Sequence, residues 1–366
     1  MTGQEFEGIE GLKMSDEITR GFLADGISGP TEVQRAAIPA ILAGRPVVIQ
    51  SATGTGKTLA YLLPILQNLL DNPGSRAVVF TPATELAMQV LRTAGKYTDP
   101  GITTGALVAT GSRKYQKSRV TQSTRLLVGT PSRILEQYAA RKMKRVITVV
   151  LDEPDSILAG KDADYLLEVL SRPDPKIQLI LAGATMGPRA EALIRRLMGG
   201  EALRTRTQDA PLLTHIEHSL EIISEGAASD TCLAQYLKKH NCRRALVFVN
   251  RLHLIRHLYL HLSKYDLNPI SLNPDHSKLQ RKQAIATFSK ARTGVLIATD
   301  NTARGLDFPE LDWVLHYELP PSAAAYLHRA GRTGRAGRSG HSVVLVPASK
   351  RFLAQRYAKE LGIVFA

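Results

Sequence analysis

Short apolar runs recur along this chain at intervals that leave room for a helix between them, and most do not alternate apolar with polar residues. The first half holds Val47-Val48-Ile49, Ala77-Val78-Val79-Phe80, Leu126-Leu127-Val128, Ile147-Thr148-Val149-Val150-Leu151 and Ile177-Gln178-Leu179-Ile180-Leu181. A strand that is apolar on both faces needs cover on both, and strand-helix repeats building a parallel sheet supply it. The rhythm returns with Ala245 to Val249, Val295 to Ala298, Trp313 to Leu315 and Ser342 to Val346. The pattern predicts two α/β parallel-sheet domains, which suits a length of 366 residues. The polar stretch Arg204 to Thr214, with Pro211 and no periodicity, is the predicted linker, which sets the domains at 1–205 and 215–366 with 206–214 between them.

Charge narrows the class of partner. The 47 Lys and Arg residues outnumber the 33 Asp and Glu residues, a net charge of +14 that attracts polyanions, with nucleic acid the first candidate. No apolar run approaches the length that spans a bilayer, so a membrane protein is not expected. Cys232 and Cys242 are too few for a disulfide framework or a four-cysteine zinc site, which points to a reducing intracellular compartment. Cytoplasm is the first expectation, with nucleus or an organelle also compatible. Met1 to Glu7 is acidic and lacks the apolar core of a secretory signal.

The most specific local pattern is Ser51-Ala52-Thr53-Gly54-Thr55-Gly56-Lys57-Thr58, which follows a strand and precedes an apolar helix. In that context the segment is a phosphate-binding loop: glycines let backbone N–H groups wrap phosphates, Lys57 reaches the β- and γ-phosphates, and Thr58 ligates Mg²⁺. The strand Ile147 to Leu151 ends in Asp152-Glu153-Pro154-Asp155. Ligands of parallel sheets bind beyond the carboxyl ends of strands, so Asp152 is the candidate metal ligand and Glu153 the candidate that polarises the attacking water. The second half supplies Arg329, Arg332 and Arg335 at three-residue spacing, expected on one face of a helical turn, where guanidinium groups stabilise developing phosphoryl charge.

The ordered set resembles the DEAD-box RNA helicases, a superfamily 2 group, over almost the whole chain. The resemblance implies two RecA-like parallel-sheet lobes, ATP and Mg²⁺ as cofactors, and RNA as partner. Pro30-Thr31-Glu32-Val33-Gln34 is similar to the end of the Q motif, which implies that Thr31 and Gln34 belong to the nucleotide site and that Gln34 reads adenine. An adenine-stacking aromatic is expected near Ile9, where Phe6 is at hand. Ser51 to Thr58 resembles motif I, and Asp152 to Asp155 resembles motif II with Pro154 in place of alanine. Thr299 to Asp307 resembles motif V, which implies that Gly305 and Asp307 face the ATP ribose. His328 to Arg335 matches motif VI, which implies that Arg332 and Arg335 are arginine fingers while His328 and Arg329 couple motif II to the rest.

The RNA-facing motifs depart further from the family pattern. Pro-Thr-Arg-Glu-Leu reads Pro82-Ala83-Thr84-Glu85-Leu86, the paired-glycine motif is Thr110-Gly111, and Thr-Pro-Gly-Arg reads Thr130-Pro131-Ser132-Arg133. Ser-Ala-Thr becomes Gly183-Ala184-Thr185, without the first hydroxyl. Phe248 and Asn250 resemble motif IV, while Asn273-Pro274 and Lys278-Leu279-Gln280-Arg281 replace the usual elements after it. The resemblance therefore implies RNA contacts by Pro82, Thr84, Gly111, Thr130, Arg133, Asn250, Arg281 and Thr299.

Basic clusters at Arg113-Lys114, Lys117, Arg119 and Arg125, and at Arg141-Lys142 with Lys144-Arg145, are further candidates for phosphate neutralisation. Aromatic residues make up only 5% of the chain, so backbone rather than base recognition is expected. The leading reading is a monomeric RNA-stimulated ATPase that unwinds short duplexes or remodels RNA–protein complexes. The alternative is a nucleotide-gated RNA clamp with little unwinding. A DNA translocase of the same superfamily is a third reading, which Gln34 and the motif II spelling disfavour. No protein partner is legible in the sequence.

Overall fold

The computed structural model describes residues 6–51, 54–108, 123–139, 145–171, 177–199, 202–206, 215–223, 229–273, 275–303, 308, 311–334 and 338–366. Internal contacts divide the chain into two compact units, Met1–Gln208 and Asp209–Ala366.

The first unit is built on a seven-stranded sheet of β1 (Val47–Gln50), β2 (Arg76–Phe80), β3 (Thr104–Leu107), β4 (Leu126–Gly129), β5 (Val146–Asp152), β6 (Gln178–Gly183) and β7 (Leu203–Arg206). Their order across the sheet is β3-β4-β2-β5-β6-β1-β7, and every pairing is parallel. The absence of alternation has the expected cause. Val47 and Ile49 face one apolar cluster while Val48 faces the other, and Ala77 and Val79 are likewise divided from Val78 and Phe80.

The second unit repeats the plan with six strands, β8 (Ile216–Ile223), β9 (Arg244–Phe248), β10 (Pro269–Ser271), β11 (Gly294–Ala298), β12 (Trp313–His316) and β13 (Gly340–Pro347). They lie in the order β10-β11-β9-β12-β13-β8, again all parallel. Ala245 and Val247 of β9 face one core, and Leu246 and Phe248 face the other.

Three features differ from the sequence reading. Edge strands β3, β7, β8 and β10 were not foreseen, because edges need less apolar cover: β8 reads Ile-Glu-His-Ser-Leu-Glu-Ile-Ile and β3 only Thr-Gly-Ala-Leu. The segment read as linker from Arg204 begins as strand β7, whose residues 203–206 pair with 47–50 of β1, and the remainder, 207–214, lies outside the described residues. The helix bearing Arg329 runs over Ala323–Ala330 and stops at Gly331. Arg332 therefore sits in the turn beyond the helix instead of on a shared helical face, and Arg335 lies outside the described residues.

Candidate active site

Because the strands are parallel, their carboxyl ends share one rim of each sheet, and strand order decides which motifs become neighbours. In the first unit β1, β6 and β5 are adjacent, so the loop after Gln50, the end of β6 at Gly183 and the acids at Asp152-Glu153 converge. Backbone bonds tie the three together: Ser51 N donates to Gly183 O at 3.0 Å, and Glu153 N donates to Ala182 O at 2.8 Å.

The phosphate loop turns sharply through Gly54 and Gly56, whose φ values of 86° and 89° belong to the left-handed region that glycine enters without steric cost. Gly56 caps the helix Lys57–Asp71. Ser51 Oγ donates to Thr55 Oγ1 at 2.8 Å, and Lys57 Nζ donates to Ser51 O at 2.6 Å, which keeps the ammonium inside the loop. Ala52 and Thr53 lie outside the described residues.

The segment before the helix Glu32–Leu42 is fastened to this loop. Thr31 and Gln34 form a capping box, in which Thr31 N donates to Gln34 Oε1 at 2.9 Å, and the Thr31 hydroxyl also donates to Thr55 O at 2.8 Å. Gln34, buried, donates from Nε2 to Gly56 O at 3.1 Å. A primary amide has two N–H groups and two lone pairs, so one donor and one acceptor remain, the pair needed to read an adenine edge. Phe6 is not available for stacking on a base. It is fully buried, with its ring on Phe22 at a centroid distance of 4.2 Å, and belongs to the core.

Asp152 is buried at the end of β5, where Tyr61 Oη donates to its Oδ2 at 2.8 Å. Burial, and then the charge of Glu153, push the Asp152 carboxyl up to about 6. Burial and the adjacent Asp152 raise the Tyr61 phenol well above its ordinary range, so the hydroxyl stays a donor. Tyr61 interacts with both Asp152 and the Thr58 side chain, and a single buried carboxylate with a nearby hydroxyl suits Mg²⁺, which takes few protein ligands and fills its shell with water and phosphate oxygens. A cation there would also reverse the electrostatic cost of two neighbouring acids. Glu153 itself adopts φ 60° and ψ 61°, a strained conformation for a residue with a side chain. Tyr61 was not singled out from the sequence. The available signal was its position one helical turn after Lys57, on the same face.

Asp155 holds the next loop: it accepts from Thr185 Oγ1 at 2.5 Å and from Gly187 N at 2.6 Å. Pro82 and Thr84 follow β2, and Thr130 and Arg133 follow β4, on the same rim but away from β1. Arg133 pairs with Glu136 at 3.1 Å. Arg125 has a structural role, since its guanidinium donates to Leu69 O, Ser75 O and Asn72 O around the end of the helix Lys57–Asp71. Gly111, the cluster Arg113 to Arg119, and Arg141, Lys142 and Lys144 lie outside the described residues.

The rim of the second unit is organised around Arg329, which is 1% exposed. It grips Asp300 in a two-pronged bond, Nε to Oδ1 at 2.8 Å and Nη2 to Oδ2 at 2.6 Å, and also donates to Asn250 Oδ1 at 2.7 Å. Its guanidinium lies 5.1 Å from the Phe248 ring centroid. Asn250 Nδ2 donates to Leu319 O at 3.0 Å, and Arg281 Nη2 donates to Thr302 O at 2.8 Å. Thr299 is buried, its N–H donating to Thr302 Oγ1 at 2.9 Å. Asn250, Arg281, Thr299 and Arg329 thus knit motifs IV, V and VI within their own unit. His328 is half-buried on the same helix, and Gly305 and Asp307 lie outside the described residues. Asp300, the acid that fixes Arg329, was not among the expected site residues.

A phosphate loop, a strand-end acid pair and a second parallel-sheet unit with a buried arginine network define a P-loop ATPase with two RecA-like lobes. Residues 31–193 match the DEAD/DEAH box helicase family and 228–337 the helicase conserved C-terminal domain. The DEAD-box ATP-dependent RNA helicase CshC of Bacillus cereus is 36% identical over 93% of this chain and 88% of its own length. The probable ATP-dependent RNA helicase YfmL of Bacillus subtilis is 32% identical over 94% of this chain and 92% of its own. The structure of S. cerevisiae Dbp5 bound to RNA and ADP BeF3 superposes with a TM-score of 0.84 at 26% identity, covering 96% of this chain and 93% of that one. The chain belongs to the DEAD-box ATP-dependent RNA helicase family. No helix among the described residues is long and apolar enough to cross a membrane.

Proposed function

We propose that this protein hydrolyses ATP to unwind short RNA duplexes or remodel RNA–protein complexes, holding RNA by its sugar-phosphate backbone. The observation behind this reading is the convergence of Ser51–Thr58, Asp152-Glu153 and Gly183 on three adjacent strand ends. Lys57 and the loop N–H groups hold the phosphates, and Gln34 takes the adenine edge. Thr58 and Asp152 are the groups that would hold Mg²⁺, which when bound supplies charge to the β- and γ-phosphate oxygens. Glu153 orients the attacking water.

In the same reading, residues 1–205 form the ATP-binding lobe, 206–214 the linker and 215–366 the second lobe. Arg332 and Arg335 of the second lobe provide positive charge as the γ-phosphoryl leaves, so turnover needs both lobes. Arg329 acts as a positioning residue, because Asp300 and Asn250 occupy its Nε and Nη2 and its Nη1 is buried. Gly305 and Asp307 face the ribose, while Pro82, Thr84, Gly111, Thr130 and Arg133 track RNA phosphates on the first lobe.

RNA-stimulated ATPase and strand-displacement assays on the same preparation test the reading. Lys57→Ala abolishes nucleotide binding or turnover. Glu153→Gln retains ATP and lengthens the lifetime of the RNA complex, and normal hydrolysis by this variant would remove Glu153 from its role. Arg332→Ala lowers turnover more than ATP affinity. ATP turnover without displacement of any short duplex would favour the RNA-clamp alternative.

A further inference from the structure

We propose that Pro154 and Gly183 are one steric unit, in which the proline positions Glu153 and the glycine provides the only space that lets it do so. The proposal rests on the assignment of Glu153 as the water-orienting acid. A Cβ built on Gly183 would lie 2.9 Å from Pro154 Cδ and 3.1 Å from Thr185 O. Both neighbours are stiff: Cδ is locked by the pyrrolidine ring to the backbone nitrogen of residue 154, and the oxygen is main chain. Backbone conformation does not demand glycine here, since Gly183 is absent from the positive-φ residues. Space alone demands it. An alanine at 154 has no Cδ, so the closer of the two contacts is created by Pro154 itself, and only the 3.1 Å approach to Thr185 O would remain without it.

The two departures from Asp-Glu-Ala-Asp and Ser-Ala-Thr are thereby linked. Pro154 is buried at the first position of the helix Pro154–Leu158, directly after Glu153 in its left-handed conformation. Gly183 is the last residue of β6, and its carbonyl accepts the Ser51 N–H at the entrance to the phosphate loop. A side chain at 183 would push against Pro154, the residue that follows Glu153, or against the carbonyl of Thr185. The hydroxyl absent at 183 is not needed to join these loops, because Asp155 already bonds to Thr185 Oγ1 and Gly187 N.

The test compares Gly183→Ser, Gly183→Ala, and the double variant Pro154→Ala/Gly183→Ser in the full chain, by thermal unfolding and by RNA-stimulated ATPase kinetics. Gly183→Ser and Gly183→Ala both lower kcat about tenfold or more, because a misplacement of under 1 Å at a reacting group is enough for that. The KM for ATP stays within about twofold, since the displaced group acts on the water and not on the phosphates. The double variant regains kcat to within about threefold of the parent, although it carries more changes.

Equal kcat for Gly183→Ser and the double variant overturns the proposal, as does full activity of Gly183→Ala. If Gly183→Ser does not fold, a folded and active double variant supports the pairing, and a double variant that also fails overturns it. Rescue of the melting temperature without any effect on kcat overturns the positioning role. Normal turnover by Glu153→Gln removes the reading of Glu153 while leaving the rescue of stability by Pro154→Ala in place, so the two failures are distinguishable.

Discussion

The two lobes solve the same problem, fixing polar groups at the carboxyl rim of a parallel sheet, by opposite means. The first lobe does it with main chain and small residues: left-handed glycines at 54 and 56, a left-handed Glu153, a glycine at 183 and amide-to-carbonyl bonds between neighbouring strand ends. The second uses large side chains. Arg329 is buried between Asp300, Asn250 and the face of Phe248, and behind it His316 stacks on Tyr326 with ring centroids 4.8 Å apart. Tyr326 in turn bonds to His218 Nδ1 and accepts from Ser342 Oγ. A rim built to admit phosphates has to leave room for them, and a rim whose central guanidinium is buried among its own partners can be filled.

The contrast can be broken first at Asp300. Replacing it with Ala leaves Arg329 buried with Asn250 as its remaining side-chain hydrogen-bond partner, and because the Asp300 side chain is itself 34% exposed the loss is about 2 kcal/mol, that of charge-assisted hydrogen bonds, and less than for a fully buried pair. Urea unfolding should show this loss, and an unchanged midpoint would mean that the arginine network contributes little to the second lobe. In the first lobe the equivalent blow is Gly56→Ala. The new Cβ would sit 2.4 Å from Gln34 Nε2 at a φ of 89°, and ATP affinity should fall by about 2 kcal/mol or more in a fluorescent-nucleotide titration.

Tyr61→Phe asks whether the first lobe depends on side chains after all. Losing a hydroxyl that donates to a buried carboxylate costs about 1.5–3 kcal/mol, read as a lower melting temperature at neutral pH. The smallest effect is expected at His316. Burial, then Arg329 and His218, hold its imidazole well below the usual histidine range. The unfolded ring takes up a proton below about pH 6.5 that the folded ring refuses, so stability is present above that pH and is lost as pH falls, by up to about 1.4 kcal/mol per pH unit. His316→Phe should flatten that limb of the stability-pH curve, and an unaltered slope would place the acid sensitivity elsewhere.

Much of the candidate site was legible in the sequence. The phosphate loop is local: its glycines, lysine and threonine are consecutive, and the strand before and helix after it are dictated by short-range apolar pattern. The strand-end acids are local for the same reason. The roles of Arg125 and Phe6 were not legible because they are set by distant partners. Arg125 is drawn to the carbonyls at Leu69, Asn72 and Ser75, and Phe6 to the ring of Phe22. Tyr61 and Asp300 escaped notice for the complementary reason, because neither residue type is unusual where it stands.

The amino-acid order alone determined that there would be two doubly covered parallel sheets and that the glycine-rich loop and the acid pair would follow strands, since burial pattern and loop sequence are properties of consecutive residues. Tertiary structure decided which strand ends are neighbours and which side chains meet there. That β6 lies between β1 and β5, bringing Gly183 against Pro154, is fixed by the packing of strands and helices far apart in the chain, and no local pattern encodes it.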